Sequence, residues 1–111
     1  MKILIKEQQL ENLASRLVLN KLSDMDFKLK KYKEFSFFPK GTHDADNGIE
    51  ADWVRHEGYS ILIGHSLFRS VRDLLGLTDE QTKDAFRKAF VNMGIKKISE
   101  METKDFGKID F

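Results

Sequence analysis

The sequence predicts an α+β fold: a small antiparallel or mixed sheet of roughly three to five short strands with about three helices, in the order β-α-β-β-β-α-α(-β). Three observations point to it. Apolar residues recur at helical spacing in three separate segments. Between the first and second of these, residues 27–64 alternate apolar and polar in short runs, as half-buried strands do. Turn residues stand at the joints: Pro39, Gly41, Gly58, Gly76 and Gly94.

Taken in order, MKILI is a short apolar run with β-branched content and reads as the first strand. Leu10, Leu13, Ala14, Leu17, Val18 and Leu22 then recur at helical spacing, with strong helix formers between them. They predict a helix from about Glu7 to Leu22. In FKLKKYKEFSFF, Phe27, Leu29, Phe35 and Phe37 share one parity and Lys28, Lys30, Glu34 and Ser36 the other. Lys31 and Lys33 interrupt the alternation, which calls for a bulge, a bend, or two tightly joined strands. IEADWVRH and YSILIG flank Glu57-Gly58 and predict an antiparallel hairpin. Leu67, Phe68, Val71, Leu74 and Leu75 follow the pattern of a buried helix face, with Ser66 as the expected N-cap and Gly76 as the C-cap. Thr78 with Gln81 three residues later has the form of a capping box. It opens a third helix with Phe86, Ala89, Phe90 and Met93 on its apolar stripe and Gly94 at its end. Leu74, Phe86 and Phe90 are expected in the core. IKKI is the candidate last strand. One domain is expected over residues 1–98, followed by a charged tail, 99–111, carrying Phe106, Ile109 and Phe111, whose removal should spare the fold.

A chain of 111 residues can bury a core without cross-links. It has no cysteine, which excludes disulfides, thiolate metal sites and a thiol nucleophile. No apolar run reaches the ~20 residues that span a bilayer, and MKILIKEQQ lacks the longer apolar region of a signal peptide. The expectation is a protein that is neither secreted nor transmembrane. A formal net charge of +1 gives no global field to recruit nucleic acid or an anionic membrane. The charge is segregated, however. Lys28, Lys30, Lys31, Lys33 and Lys40 precede Asp44, Asp46, Glu50, Asp52 and Glu57. Pairing of the acidic strand beside the lysine-rich one would account for this without a ligand.

GTHDADNGIEADW is the stretch richest in candidate chemistry. Closely spaced carboxylates suit hard cations, and Asp44, Asp46 and Asp52 with His43 are the metal candidates. The spacing is not that of an EF-hand: Gly48 comes one position early and Arg55 occupies the place of the bidentate glutamate. Asp, Asn and Gly are also the ordinary residues of a solvated turn, and that reading is preferred. The three histidines, His43, His56 and His65, lack helical metal-pair spacing. The glycines form no phosphate loop or dinucleotide fingerprint, and no cofactor or small-molecule substrate is implied. The helix pair at 66–97 has the outline of a DNA-reading unit. Yet Asp79, Glu80 and Asp84 accompany Lys83, Arg87 and Lys88, and nucleic acid is not the expected partner. Nine phenylalanines suggest a contact surface. Alternation sends Phe38 to the side opposite Phe37, on the rim beside Pro39, and Phe35, Phe38, Phe106 and Phe111 are the partner-binding candidates.

The opening MKILIKEQQLENL resembles that of small uncharacterised proteins of tailed bacteriophages and related bacterial genomes, over residues 1–13. The resemblance implies a phage-encoded accessory or virion protein and supplies no catalytic residues. The expectation is therefore a small non-enzymatic protein that binds another protein, as a homo-oligomer or in a virion assembly, in the host cytoplasm or the virion. The alternatives are a metal-dependent hydrolase or nuclease built on the Asp44–Asp52 cluster, and a DNA-binding regulatory module using residues 66–97.

Overall fold

The computed structural model describes residues 7–104. Their elements are α1 (Glu7–Ser23), β1 (Met25–Leu29), β2 (Phe35–Pro39), β3 (Ile49–Val54), β4 (Gly58–Gly64), α2 (His65–Leu75), α3 (Asp79–Asn92) and β5 (Ile98–Lys104). The strand expected at MKILI, and Phe106, Ile109 and Phe111, lie outside the described residues. The strands form one mixed sheet in the order β1-β2-β3-β4-β5. The first four make an antiparallel meander, and β5 returns parallel to β4 after the crossover through α2 and α3.

The interruption at Lys31 and Lys33 is a tight join. A single 3₁₀ turn, Lys31–Lys33, links β1 to β2, with Tyr32 and Lys33 in left-handed conformation at φ 54° and 69°. Phe27 then stands opposite Phe37 and Leu29 opposite Phe35. The acidic strand does not lie beside the lysine-rich one, because β2 separates them: Lys28 faces Ser36, and Ser36 faces Glu50.

The capping box of α3 forms as its sequence suggests, Thr78 Oγ1 accepting the N–H of Gln81 at 3.1 Å and Gln81 Oε1 that of Thr78 at 2.9 Å. Gly76 ends α2 in the left-handed conformation at φ 64°. Two details of α2 differ from expectation. Its N-cap is Gly64, and Ser66 sits inside the first turn. Leu74 is 66% exposed and outside the core, because the buried arc of α2 consists of Leu67, Phe68 and Val71.

Residues 98–104 are not part of a separate tail. Ile98–Lys104 is β5, Met101 pairs with Ile61, and its side chain is buried. The boundary expected at residue 98 therefore falls at the start of a strand. Periodicity hid it, because in ISEMETK only Ile98 and Met101 face the core.

Phe35, Phe37, Ile49, Ala51, Ile61, Ile63 and Met101 from one sheet face meet Ala14, Val18 and Leu22 of α1, Leu67, Phe68 and Val71 of α2, and Ala85, Phe86, Ala89 and Phe90 of α3. Phe68 stacks on Phe86 at 6.1 Å and Phe35 reaches Phe90 at 6.5 Å. Alternation puts Lys28, Ser36, Glu50, Asp52, Ser60, Leu62, Glu100 and Glu102 on the other face.

Candidate functional site

The acidic loop is the first candidate, and its groups are turned to holding the loop itself. Asp44 Oδ1 accepts the N–H of Asp46 at 3.2 Å and its Oδ2 the side-chain amide of Asn47 at 2.8 Å. Thr42 Oγ1 donates to the carbonyl of Pro39 at 2.7 Å and accepts the N–H of Asp44 at 3.3 Å. The Ser66 hydroxyl donates to Asp46 Oδ2, which brings a carboxylate to the positive start of α2. The N–H of Gly64 donates to the carbonyl of Gly48 at 2.8 Å. A Cβ at Gly64 would run into the carbonyl oxygens of Ala45 and Asp46, so only glycine lets the loop sit this close. The four metal candidates are not brought together. His43 packs on the Phe38 ring at 6.1 Å, and Asp52 is exposed on β3, roughly 10 Å along the strand from Ile49. Among the described residues, no three His, Asp or Glu side chains converge on a common point.

Of the four phenylalanine candidates, Phe35 and Phe38 fall among the described residues, and both are buried. Phe35 is 3% exposed, in the helix-side core. Phe38 does point away from Phe37, but it is only 7% exposed, because His43 and Gly48 of the loop close over its ring. Neither can meet a partner while the fold is intact. Three bases of the helix pair, Arg72, Arg87 and Lys88, are paired with acids. Arg72 bonds Asp73 and Asp79, each at 3.0 Å, and Lys88 bonds Glu11 at 3.0 Å. The hydrogen bonds that Arg72 donates to Asp79 and then to Asp73 raise the pKa of its guanidinium, so it remains charged.

What the structure exposes instead is β1. It is the first strand of the sheet, and no strand among the described residues pairs on its outer side. Phe27 is 54% and Leu29 71% exposed, on the helix side of the sheet where their parity promised burial. Phe27 touches Phe35 at 5.8 Å and Phe37 at 5.1 Å, so it is the outermost ring of the aromatic core. Helical cover reaches Met25 and does not extend over Phe27 and Leu29. The available signal was the composition of DFKLK, in which each apolar residue is flanked by charges, as on a strand that is not central.

A second feature lies at the end of the sheet where β1 turns into β2. All four non-glycine residues with positive φ among the described residues are here: Tyr32, Lys33, His56 and Lys97. Lys30, Lys31, Lys33, Arg55, Lys96 and Lys97 are exposed in these three turns, against Glu34 and Glu57. Tyr32 is 85% exposed, Lys33 Nζ sits 4.4 Å from the Trp53 ring, and Trp53 meets Tyr59 edge-on at 5.0 Å. Tyr32, Glu34, Trp53 and Arg55 line a shallow cleft of about 400 Å³.

No protein family, curated protein or solved structure matches this chain.

Proposed function

We propose that this is a non-enzymatic protein whose work is to bind protein, and that the binding surface is the outer edge of β1. The carrying observation is the open edge strand with Phe27 and Leu29 exposed on it. An unpaired strand offers a row of backbone donors and acceptors, and added strands take their specificity from alternate side chains. The enzymatic alternative is weakened because Asp44 and Asp46 spend their carboxylates on the loop and on Ser66. No helix among the described residues is long and apolar enough to cross a membrane. A phage accessory or virion role, to which the opening residues point by resemblance, agrees with a small contact protein.

The test compares the wild type with Phe27→Lys/Leu29→Lys, since lysines on an edge strand block strand addition. Leu29 is largely exposed, whereas Phe27 rests on Phe35 and Phe37, so the double variant should melt a few degrees below wild type and remain folded. The wild type should bind a polypeptide, its own or another, in light scattering and in capture from cells that make it, and the variant should not. Equal binding by both, or no polypeptide bound by either, refutes the reading.

A second reading is nucleic-acid binding, and the basic end of the sheet favours it over residues 66–97. Exposed cations beside Tyr32 and Trp53 suit phosphates and stacked bases. Fluorescence anisotropy of a labelled single-stranded oligonucleotide, falling with added salt and with Tyr32→Gly, would support it.

A further inference from the structure

We infer that the partner of β1 is a second copy of this chain, paired β1 to β1 in antiparallel register with Phe27 opposite its own counterpart. This rests on the protein-binding reading above and adds the occupant and the register. The strand and its flanks read Asp24-Met25-Asp26-Phe27-Lys28-Leu29-Lys30. Turned about a two-fold axis through Phe27, perpendicular to the sheet, this segment is complementary to itself. Asp26 falls opposite Lys28, Asp24 opposite Lys30, and Met25 opposite Leu29, each pair occurring twice.

The faces agree as well. Directly opposed residues of an antiparallel pair lie on the same side of the sheet. Asp26 and Lys28 share the side away from the helices, while Met25, Phe27 and Leu29 share the helix side. Phe27 and Leu29, which each copy leaves exposed, are therefore covered by the same row of the other, with the half-buried Met25 at its end. Two-fold interfaces require this self-complementarity. Sliding the register by two residues either way puts Asp26 against Asp26 or Lys28 against Lys28. Only the register centred on Phe27 gives opposite charges in every polar pair. The result is a continuous sheet of two five-stranded halves with both helical layers on one side. The other edge strand, β5, has no such pattern. Its exposed side chains are Ser99, Glu100, Glu102, Thr103 and Lys104, with no large apolar residue among them.

The test exploits the symmetry. Lys28→Asp alone sets aspartate against Asp26 twice, and Asp26→Lys alone sets lysine against Lys28 twice. Each should weaken self-association by about tenfold or more, because two attractive pairs become repulsive. An equimolar mixture of the two variants should recover the dimer as a heterodimer, and the double variant Asp26→Lys/Lys28→Asp should recover it alone. Asp26 Oδ2 also accepts the N–H of Gly41 at 3.0 Å, so its replacement can disturb the neighbouring turn. Asp24→Lys and Lys30→Glu therefore form a second set with the same logic, and melting curves confirm that each variant is folded. Analytical ultracentrifugation reads all of them.

A wild type that is monomeric at every concentration reached overturns the inference, including the case in which hydrogen exchange shows β1 covered by the chain's own first residues. If charge variants associate like wild type while Phe27→Lys/Leu29→Lys does not, the edge binds protein and the register proposed here is wrong. If Phe27→Lys/Leu29→Lys also associates like wild type, both the register and the edge are wrong.

Discussion

Replacing Gly64 by alanine tests whether the acidic loop is part of the fold's framework or a free ligand-binding segment. The backbone at Gly64, φ −58° and ψ 137°, is open to any L-residue, so a methyl group adds no torsional strain. Its whole effect is spatial. The new Cβ meets the carbonyl oxygens of Ala45 and Asp46, which are backbone and cannot rotate away. The loop must withdraw from the start of α2, stretching the Gly64 to Gly48 hydrogen bond and the one from Ser66 to Asp46. Overpacking of this kind costs about 1–3 kcal/mol. At roughly 4 °C per kcal/mol for a domain near this size, the melting temperature should fall by about 4–12 °C. Thermal denaturation followed by circular dichroism measures it. Ser66→Ala and Asp46→Asn should each destabilise too, and their double variant should cost less than the two added, because they remove one shared bond. A Gly64→Ala melt equal to wild type would mean the loop is not seated. A higher melting temperature for Asp46→Asn would mean that its carboxylates repel one another, as in a cation site without its cation, and the structural reading would fail.

Phe86→Ala and Phe90→Ala should each cost about 3–5 kcal/mol, since both rings are fully buried, while Leu74→Ala should change the urea midpoint little. Tyr32→Gly should raise the melting temperature by a few degrees. A left-handed non-glycine residue carries roughly 1–2 kcal/mol of strain that glycine relieves, less the entropy glycine loses on folding, and a lower melt would show that the Tyr32 ring is packed. Truncation after Ser99 should abolish cooperative unfolding, because it removes nearly all of β5 and the buried Met101; a normal melt would make β5 dispensable. Calcium, magnesium or manganese should leave the melt unchanged, whereas a ligand at a hundred times its dissociation constant would stabilise by about 2.7 kcal/mol.

Local signals were legible where one side chain settles its own surroundings. Thr78 and Gln81 define a cap by their spacing, Gly76 by its tolerance of left-handed backbone, and Lys31 and Lys33 by breaking an alternation that a turn must explain. What failed depended on distant cover. Alternation gave the direction of Phe38 correctly, but not the loop that folds over it. It put Phe27 and Leu29 on one side with Phe35 and Phe37, as observed, but carries no information on where the helical layer ends. The helical period included Leu74 for the same reason. At the acidic loop the turn chemistry was visible, whereas the partner of Asp46, Ser66, lies twenty residues away, and only the folded hairpin brings it near.

The edge of β1, unpaired among the described residues, also raises the question of why this protein would not aggregate through it. Unpaired strands with exposed apolar residues invite indiscriminate pairing, and natural sheets defend them with charge. Here Asp24, Asp26, Lys28 and Lys30 alternate with the apolar residues of β1. A strand of like charge on a foreign chain would be repelled by part of that row, and a slipped copy of β1 would meet itself. Once two edges join about a two-fold axis, each is consumed by the other, and growth could continue only through β5, where Glu100 and Glu102 stand exposed on the outer strand. The charges that make β1 a poor template for arbitrary strands are the same ones that suit it to its own copy. Neutralising them tests this: Asp26→Asn/Lys28→Gln should still pair, more weakly than wild type, and should lose its selectivity, forming mixed dimers with Asp26→Lys and with Lys28→Asp alike. A neutral variant that pairs with its own copy and refuses both charge variants would show that shape, not charge, selects the partner.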